Sequence, residues 1–205
     1  MAEIQYLTAV GSMMQVHYTD GAISLAYPDG RGHYLPRSGA APVDPGDPPP
    51  PTTGDWVHPL TGSTMTSPYG PRGFDGVGSF HWGIDFSTGG GGTIVAPTDL
   101  KVTIARAGWG AGGSAGNCVK AHTTDGAYTF NFYHMVAGSI AVTEGQTISR
   151  GTAIGIEGET GNAYGAHLHF EVYEGIWNDP WPPPYNYGAN CIDPGPLLTA
   201  HGVTY

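Results

Sequence analysis

The chain has 205 residues, enough for one domain with a buried core and a small appendage but too few for two full domains. Its 34 glycines and 18 prolines, against only 12% charged residues, call for many tight turns and little exposed helix, so an all-β protein is expected. A formal net charge of -10 with two lysines, Lys101 and Lys120, leaves no basic stripe to neutralise phosphates, which excludes nucleic acid and disfavours anionic membranes as partners.

The first thirty residues lack a basic region, Arg31 being the first arginine, and the run from Tyr6 to Met14 is broken by Thr8, Gly11 and Ser12; no secretory signal peptide is expected. No segment approaches the ~20 apolar residues of a membrane span. From Met13 to Leu35 the pattern predicts successive hairpins: 13–18, a turn at Asp20-Gly21, 22–27, a turn at Pro28-Asp29-Gly30, then 33–35. Such a thin sheet is unstable alone, so residues 1–41 are expected to dock on the main domain, on another copy, or on another protein. Residues 42–55 form a linker, stiffened by the four prolines Pro48 to Pro51.

The main domain is placed at 56–205. Strand-like runs recur about every ten residues, at 92–96, 101–105, 117–122, 127–135, 140–143, 153–156 and 167–173, with glycine-rich turns between them. No stretch sustains a 3.6-residue period. The reading is an antiparallel β-sandwich or open barrel. Cys118 and Cys191, the two cysteines, allow one bridge or two buried thiols.

Polar and apolar residues alternate strictly in His167-Leu-His-Phe-Glu-Val172, so His167, His169 and Glu171 share one strand face while Leu168, Phe170 and Val172 face a core. Residues two apart on a strand are ~6.6 Å apart, so one imidazole can bind a metal while its neighbour reaches the substrate or a water. His81 and Asp85 would be about 13 Å apart on a straight strand, too far to share an ion; Gly83 offers a bend, putting His81 on the incoming loop and Asp85 at a strand start with Ile84 and Phe86 inward. Two imidazoles and one carboxylate leave a fourth tetrahedral position open, the pattern of a catalytic zinc site. His134 ends the alternating run Tyr128, Phe130, Phe132, His134 and supplies a further uncoordinated imidazole suited to proton transfer. His17, His33, His58, His122 and His201 read as ordinary structure, Trp56, Trp82 and Trp109 as core or groove lining, and Glu171 as exposed.

In order along the chain, Thr66-Ser-Pro-Tyr-Gly-Pro-Arg72, His81-Trp-Gly-Ile-Asp85, Tyr133-His134-Met135, Val142-Thr-Glu-Gly-Gln146, Gly158-Glu-Thr-Gly161, His167-Leu-His-Phe-Glu171 and Ile192-Asp-Pro194 resemble the M23 family of metallopeptidases, the lysostaphin and LytM type of peptidoglycan endopeptidase. The resemblance runs from about His58 to Leu198 and leaves out the N-terminal hairpins and the linker. It implies one zinc ion held by His81, Asp85 and His169, a choice of His169 over His167 that spacing alone leaves open. His134 and His167 are then the free catalytic histidines, which orient or deprotonate the water that the metal activates, and Arg72 is a donor able to stabilise the oxyanion. Phe132 departs from the tyrosine common there. The aromatic and proline-rich segment 177–190 is longer than usual and is expected to border the substrate groove, with Cys191 able to tie it to Cys118.

The expectation is therefore a zinc endopeptidase cutting cross-links or stem peptides of bacterial peptidoglycan. With a small β anchor and no signal peptide, a virion-associated phage lysin is favoured, its residues 1–50 binding a tail protein. It would sit at the virion tail tip, or act outside the cell at the bacterial wall. The alternatives are a free phage endolysin released at lysis and a non-catalytic M23-like scaffold or regulator.

Overall fold

The computed structural model describes residues 4–10, 13–18, 23–28, 34–35, 55–72, 80–109, 113–177 and 190–205. Near the N-terminus β1 (Ile4–Val10), β2 (Met13–Tyr18), β3 (Ile23–Pro28) and β4 (Tyr34–Leu35) pair antiparallel in chain order as a sheet of their own. β1 precedes the hairpins read from the sequence. The linker up to residue 54 and residues 178–189 of the aromatic segment lie outside the described residues.

Beyond residue 55 follow β5 (Thr64–Ser67), β6 (Gly70–Pro71), β7 (Phe80–His81), β8 (Ile84–Ser87), β9 (Thr93–Val95), β10 (Leu100–Trp109), β11 (Gly116–Thr123) and β12 (Tyr128–Met135). After them come β13 (Thr147–Ile148), β14 (Ala153–Ile156), β15 (Leu168–Glu174), β16 (Cys191–Ile192) and the helix α1 (Pro194–Ala200). The main sheet is antiparallel and open, in the order β13-β10-β11-β12-β15-β8-β5, with β16 added against β15. Two small ribbons, β9 with β14 and β6 with β7, complete the all-β body. It closes into no barrel.

Alternation decides the two faces of this sheet. Val119, Ala121, Phe130, Phe132, Leu168, Phe170, Val172, Ile84 and Phe86 point to one side, where Leu60, Ile94, Ile154, Leu198 and Val203 close the core. Burying side chains of this size contributes roughly 1.5–3 kcal/mol each. The other side is also buried, yet carries Lys120, Asn131, Tyr133, Glu171 and Tyr173. A sheet covered on both faces explains why β11 and β12 read as nearly continuous buried runs.

Two local features differ from the sequence reading, and one alternative it left open is resolved. Residues 140–143 form no strand: Ala141 N–H donates to Ile154 O at 2.8 Å, and the chain then turns at Glu144-Gly145. The unforeseen α1 is seven residues long, too short for a periodic signal, and its cues are Asp193, whose carboxylate accepts from Gly195 N–H, and Pro194 at the first turn. Cys118 and Cys191 are both free thiols, pushed up to about 12 chiefly by burial, so the bridge is not formed. Among the described residues no helix is long and apolar enough to cross a membrane.

His58 shows how a structural histidine couples this fold to pH. Its ring packs edge-on to Phe86 with centroids 4.7 Å apart, and Nδ1 accepts from Leu60 N–H at 3.0 Å. Protonation would destroy that acceptor, and burial lowers the ring to about 4. The unfolded chain takes the proton near its ordinary value of about 6.5, so this contribution is complete above that pH and is lost as pH falls toward 4. Urea unfolding across this window should show His58→Asn, which keeps an acceptor but does not titrate, losing less stability than wild type by up to roughly 3 kcal/mol. Identical pH dependence in the two proteins would refute the coupling.

Candidate metal centre

His169 of β15 and Asp85 of β8 are paired across the sheet, so their side chains leave the same face as direct neighbours. His81 arrives from β7 by the short return through Trp82-Gly83, and is on a strand rather than a loop. Gly83 does more than bend the chain: a Cβ there would stand 2.5 Å from Phe170 O and 2.9 Å from His169 Cε1, so only glycine lets this return lie against β15.

Three ligand atoms consequently converge. His81 Nε2 lies 2.9 Å from His169 Nδ1 and 3.1 Å from Asp85 Oδ1, and His169 Nδ1 lies 2.8 Å from the same carboxylate oxygen. The opposite ring nitrogens are committed as donors: His81 Nδ1–H to Pro68 O at 2.7 Å, and His169 Nε2–H to Glu171 Oε1 at 3.1 Å. Each ring therefore turns a lone pair inward. Three acceptors meeting at one point repel unless a positive charge lies among them, and this group can hold a metal ion. The electrostatics state the same demand. Burial works against a charged His169, but hydrogen bonds to Asp85 and Glu171 raise it to about 9. Burial likewise pushes Asp85 up, while its bonds to His169 and His81 hold it well below the usual carboxylate range.

Two further imidazoles face this group. His167, joined to Gly158 by an isolated bridge, donates Nδ1–H to Gly165 O at 2.9 Å and brings Nε2 to 3.7 Å from Asp85 Oδ1. His134 donates Nδ1–H to Thr160 O at 2.8 Å, and its ring centroid is 4.7 Å from that of His167. Burial first, then the nearby charge of His169, lowers His134 to about 4, which keeps it neutral and its Nε2 a base.

His134 reaches this face by a route that alternation does not predict. Counting from Phe130 and Phe132, both in the core, strict alternation sends residue 134 into the core as well. A β-bulge intervenes: Asn117 pairs with Met135 and Val119 with Phe132, so Tyr133 and His134 together oppose Cys118. His134 adopts φ 65°, the one non-glycine positive φ among the described residues, and Met135 returns to the core. Gly158 packs onto the bulge, where a Cβ would meet Val136 N at 2.5 Å and His134 O at 2.8 Å.

Arg72 donates from Nη2 to Asp85 Oδ2 at 3.0 Å and to Ser67 Oγ at 3.2 Å, at the outer oxygen of the carboxylate. The reading of Glu171 as exposed is corrected: it is 2% exposed and bonded to His169. Tyr133, stacked on His169 at 5.5 Å and 10°, and Asn131 were not singled out either. Tyr133 stands in the motif Tyr133-His134-Met135, and both residues lie on the polar face of β12, a signal that matters only once β12 and β15 are in register. Among the described residues, His58, His122 and His201 are not part of this group; His201, for one, stacks on Trp56 and bonds Asp55. His33 and the side chain of His17 lie outside the described residues.

Fold and site together are similar to those of peptidase domains of the M23 type. Residues 79–180 match the model of peptidase family M23. The catalytic domain of the antimicrobial peptidase lysostaphin from Staphylococcus simulans is 26% identical, with a TM-score of 0.56 over 67% of this chain and 92% of that one. The structure of LytU is 28% identical, with a TM-score of 0.54 over 68% and 86%. An uncharacterized metalloprotease of Haemophilus influenzae is 31% identical over 93 residues, which are 45% of this chain and 18% of that protein. The chain thus spans under a fifth of the length of that curated relative.

The positive φ of His134 is testable apart from catalysis. His134→Ala and His134→Gly both remove the imidazole, but only glycine takes this backbone without a Cβ penalty. His134→Gly should be the more stable by about 1 kcal/mol, roughly 2–4 °C in Tm. Equal or reversed melting temperatures would place no strain at the bulge.

Proposed function

We propose that this protein is a zinc-dependent endopeptidase that hydrolyses peptide cross-links or stem peptides of bacterial peptidoglycan. The observation that carries the reading is the convergence of the His81, His169 and Asp85 acceptors on one point, opposite two imidazoles whose Nε2 lone pairs are free to take a proton. Two nitrogens and one carboxylate oxygen suit zinc and leave one position open. Bound there, zinc would lower the pKa of a water and polarise a carbonyl. His134 and His167, with Nδ1–H tied to Thr160 and Gly165, keep Nε2 as the acceptor, where they would orient a water, take its proton and return one to the leaving amine. Arg72, at the rim beside Asp85, supplies positive charge on the side where an oxyanion would develop. The likeness to lysostaphin, an antimicrobial peptidase, supports the wall as substrate.

A setting on a phage tail is part of this proposal. The separate N-terminal sheet and the proline run before the peptidase domain support residues 1–50 as the tail-binding part, with the protein delivered to the host wall at the tail tip. Co-purification of the full chain with tails, lost on deleting residues 1–50, is the expected result.

Purified protein incubated with intact walls should release new amino termini, and a chelator should stop it. His169→Ala should lose both zinc and cleavage. His134→Ala should keep stoichiometric zinc while cleavage falls roughly 10²–10⁴-fold. No new amino termini from any wall type would sink the enzyme reading, and parental cleavage by His134→Ala would sink its role as base.

A further inference from the structure

Four imidazoles line the site, and three are oriented by backbone carbonyls, those of Pro68, Thr160 and Gly165. His169 differs: its outer nitrogen meets a carboxylate. That carboxylate, Glu171, is buried on the polar face of the sheet and held by a complete set of donors. Oε1 accepts from His169 Nε2–H at 3.1 Å. Oε2 accepts from Asn131 Nδ2 at 2.8 Å, Tyr173 OH at 2.9 Å and Tyr133 OH at 3.0 Å. Asn131 uses its second N–H on Tyr133 OH at 2.8 Å, so the tyrosine is left with its own proton for Glu171 alone. The strands place this cradle without side-chain latitude, since Asn131 and Glu171 are cross-strand partners in the β12–β15 register.

We propose that Glu171 is a positioning residue for His169: it holds the proton on Nε2, aims the Nδ1 lone pair at His81 and Asp85, and sets how tightly the three-residue group binds zinc. This rests on the zinc reading above. A buried carboxylate surrounded by four donors is rigid and negatively charged, and an imidazole bonded to it is a stronger ligand than one bonded to a carbonyl. Tyr133 completes the arrangement by stacking flat on the His169 ring and bonding the same carboxylate, which fixes ring tilt as well as tautomer.

Glu171→Gln keeps the shape and one acceptor for His169 while removing the charge. Titration of the full-length protein with zinc against a chelator of known affinity should find wild type binding one ion and Glu171→Gln binding it roughly 10–100-fold more weakly. Equal affinity in the two proteins would overturn the positioning role and leave the metal centre standing. A wild type that binds no zinc would overturn the metal centre, and this proposal with it. A second measurement needs no variant: in zinc-loaded wild type the imidazole nitrogen shifts should place the His169 proton on Nε2. A proton on Nδ1 would overturn the proposal whatever the variant does.

Discussion

An imidazole has two nitrogens, and the site depends on one of them being committed as a donor in every histidine that lines it. Pro68 O, Thr160 O, Gly165 O and Glu171 Oε1 each take one N–H, so four rings are fixed in tautomer and direction before any ligand arrives. Only then do the remaining nitrogens act as lone pairs: two toward Asp85, two toward the space in front of it. Those acceptors are main-chain carbonyls and a carboxylate on the sheet. The fold therefore sets the chemistry through its backbone.

Holding such acceptors in place asks for irregular backbone at defined points. The bulge opposite Cys118 and the φ of 65° at His134 turn one imidazole out of the core side of β12. Without it the alternation that buries Phe130 and Phe132 would bury His134 beside them. The close contact of Gly158 on the bulge brings Thr160 O to the ring of His134, and the bare backbone of Gly83 lets His81 reach His169. Strain sits at the site, and the well-packed sheet around it over-determines the conformation.

Much of this was legible in the residues. Strict alternation in 167–172 placed three polar side chains on one face and three apolar ones in the core, because a strand has a period of two whatever its neighbours. The all-β class followed from glycine, proline and the spacing of short apolar runs. Register was not legible: that Asp85 faces His169 and Asn131 faces Glu171 depends on pairings between distant segments, which local pattern does not encode. Glu171 looked exposed for that reason, since a carboxylate on a polar strand face is solvated unless another strand supplies donors. The bulge was hidden because Tyr133-His134-Met135 reads as unbroken alternation. Residues 140–143 misled in the opposite way, being apolar enough for a strand but used as packing along a loop.

The burial of the polar face has an energetic consequence. Two carboxylates and two imidazoles withdrawn from water are costly unless charge is balanced and every donor is matched. Glu171 is matched by four donors and Asp85 by Arg72 on its outer oxygen, but the inward lone pairs of His81 and His169 have no hydrogen-bonding solution among themselves. A proton on His169 relieves part of that conflict and a divalent ion relieves all of it, so the ion and the proton compete for one position. Any ion bound there stabilises the native state by its binding free energy, about 4 kcal/mol at a thousand times its Kd. The sheet that carries the site would thus gain stability from an ion held there, and the two could not be tuned independently.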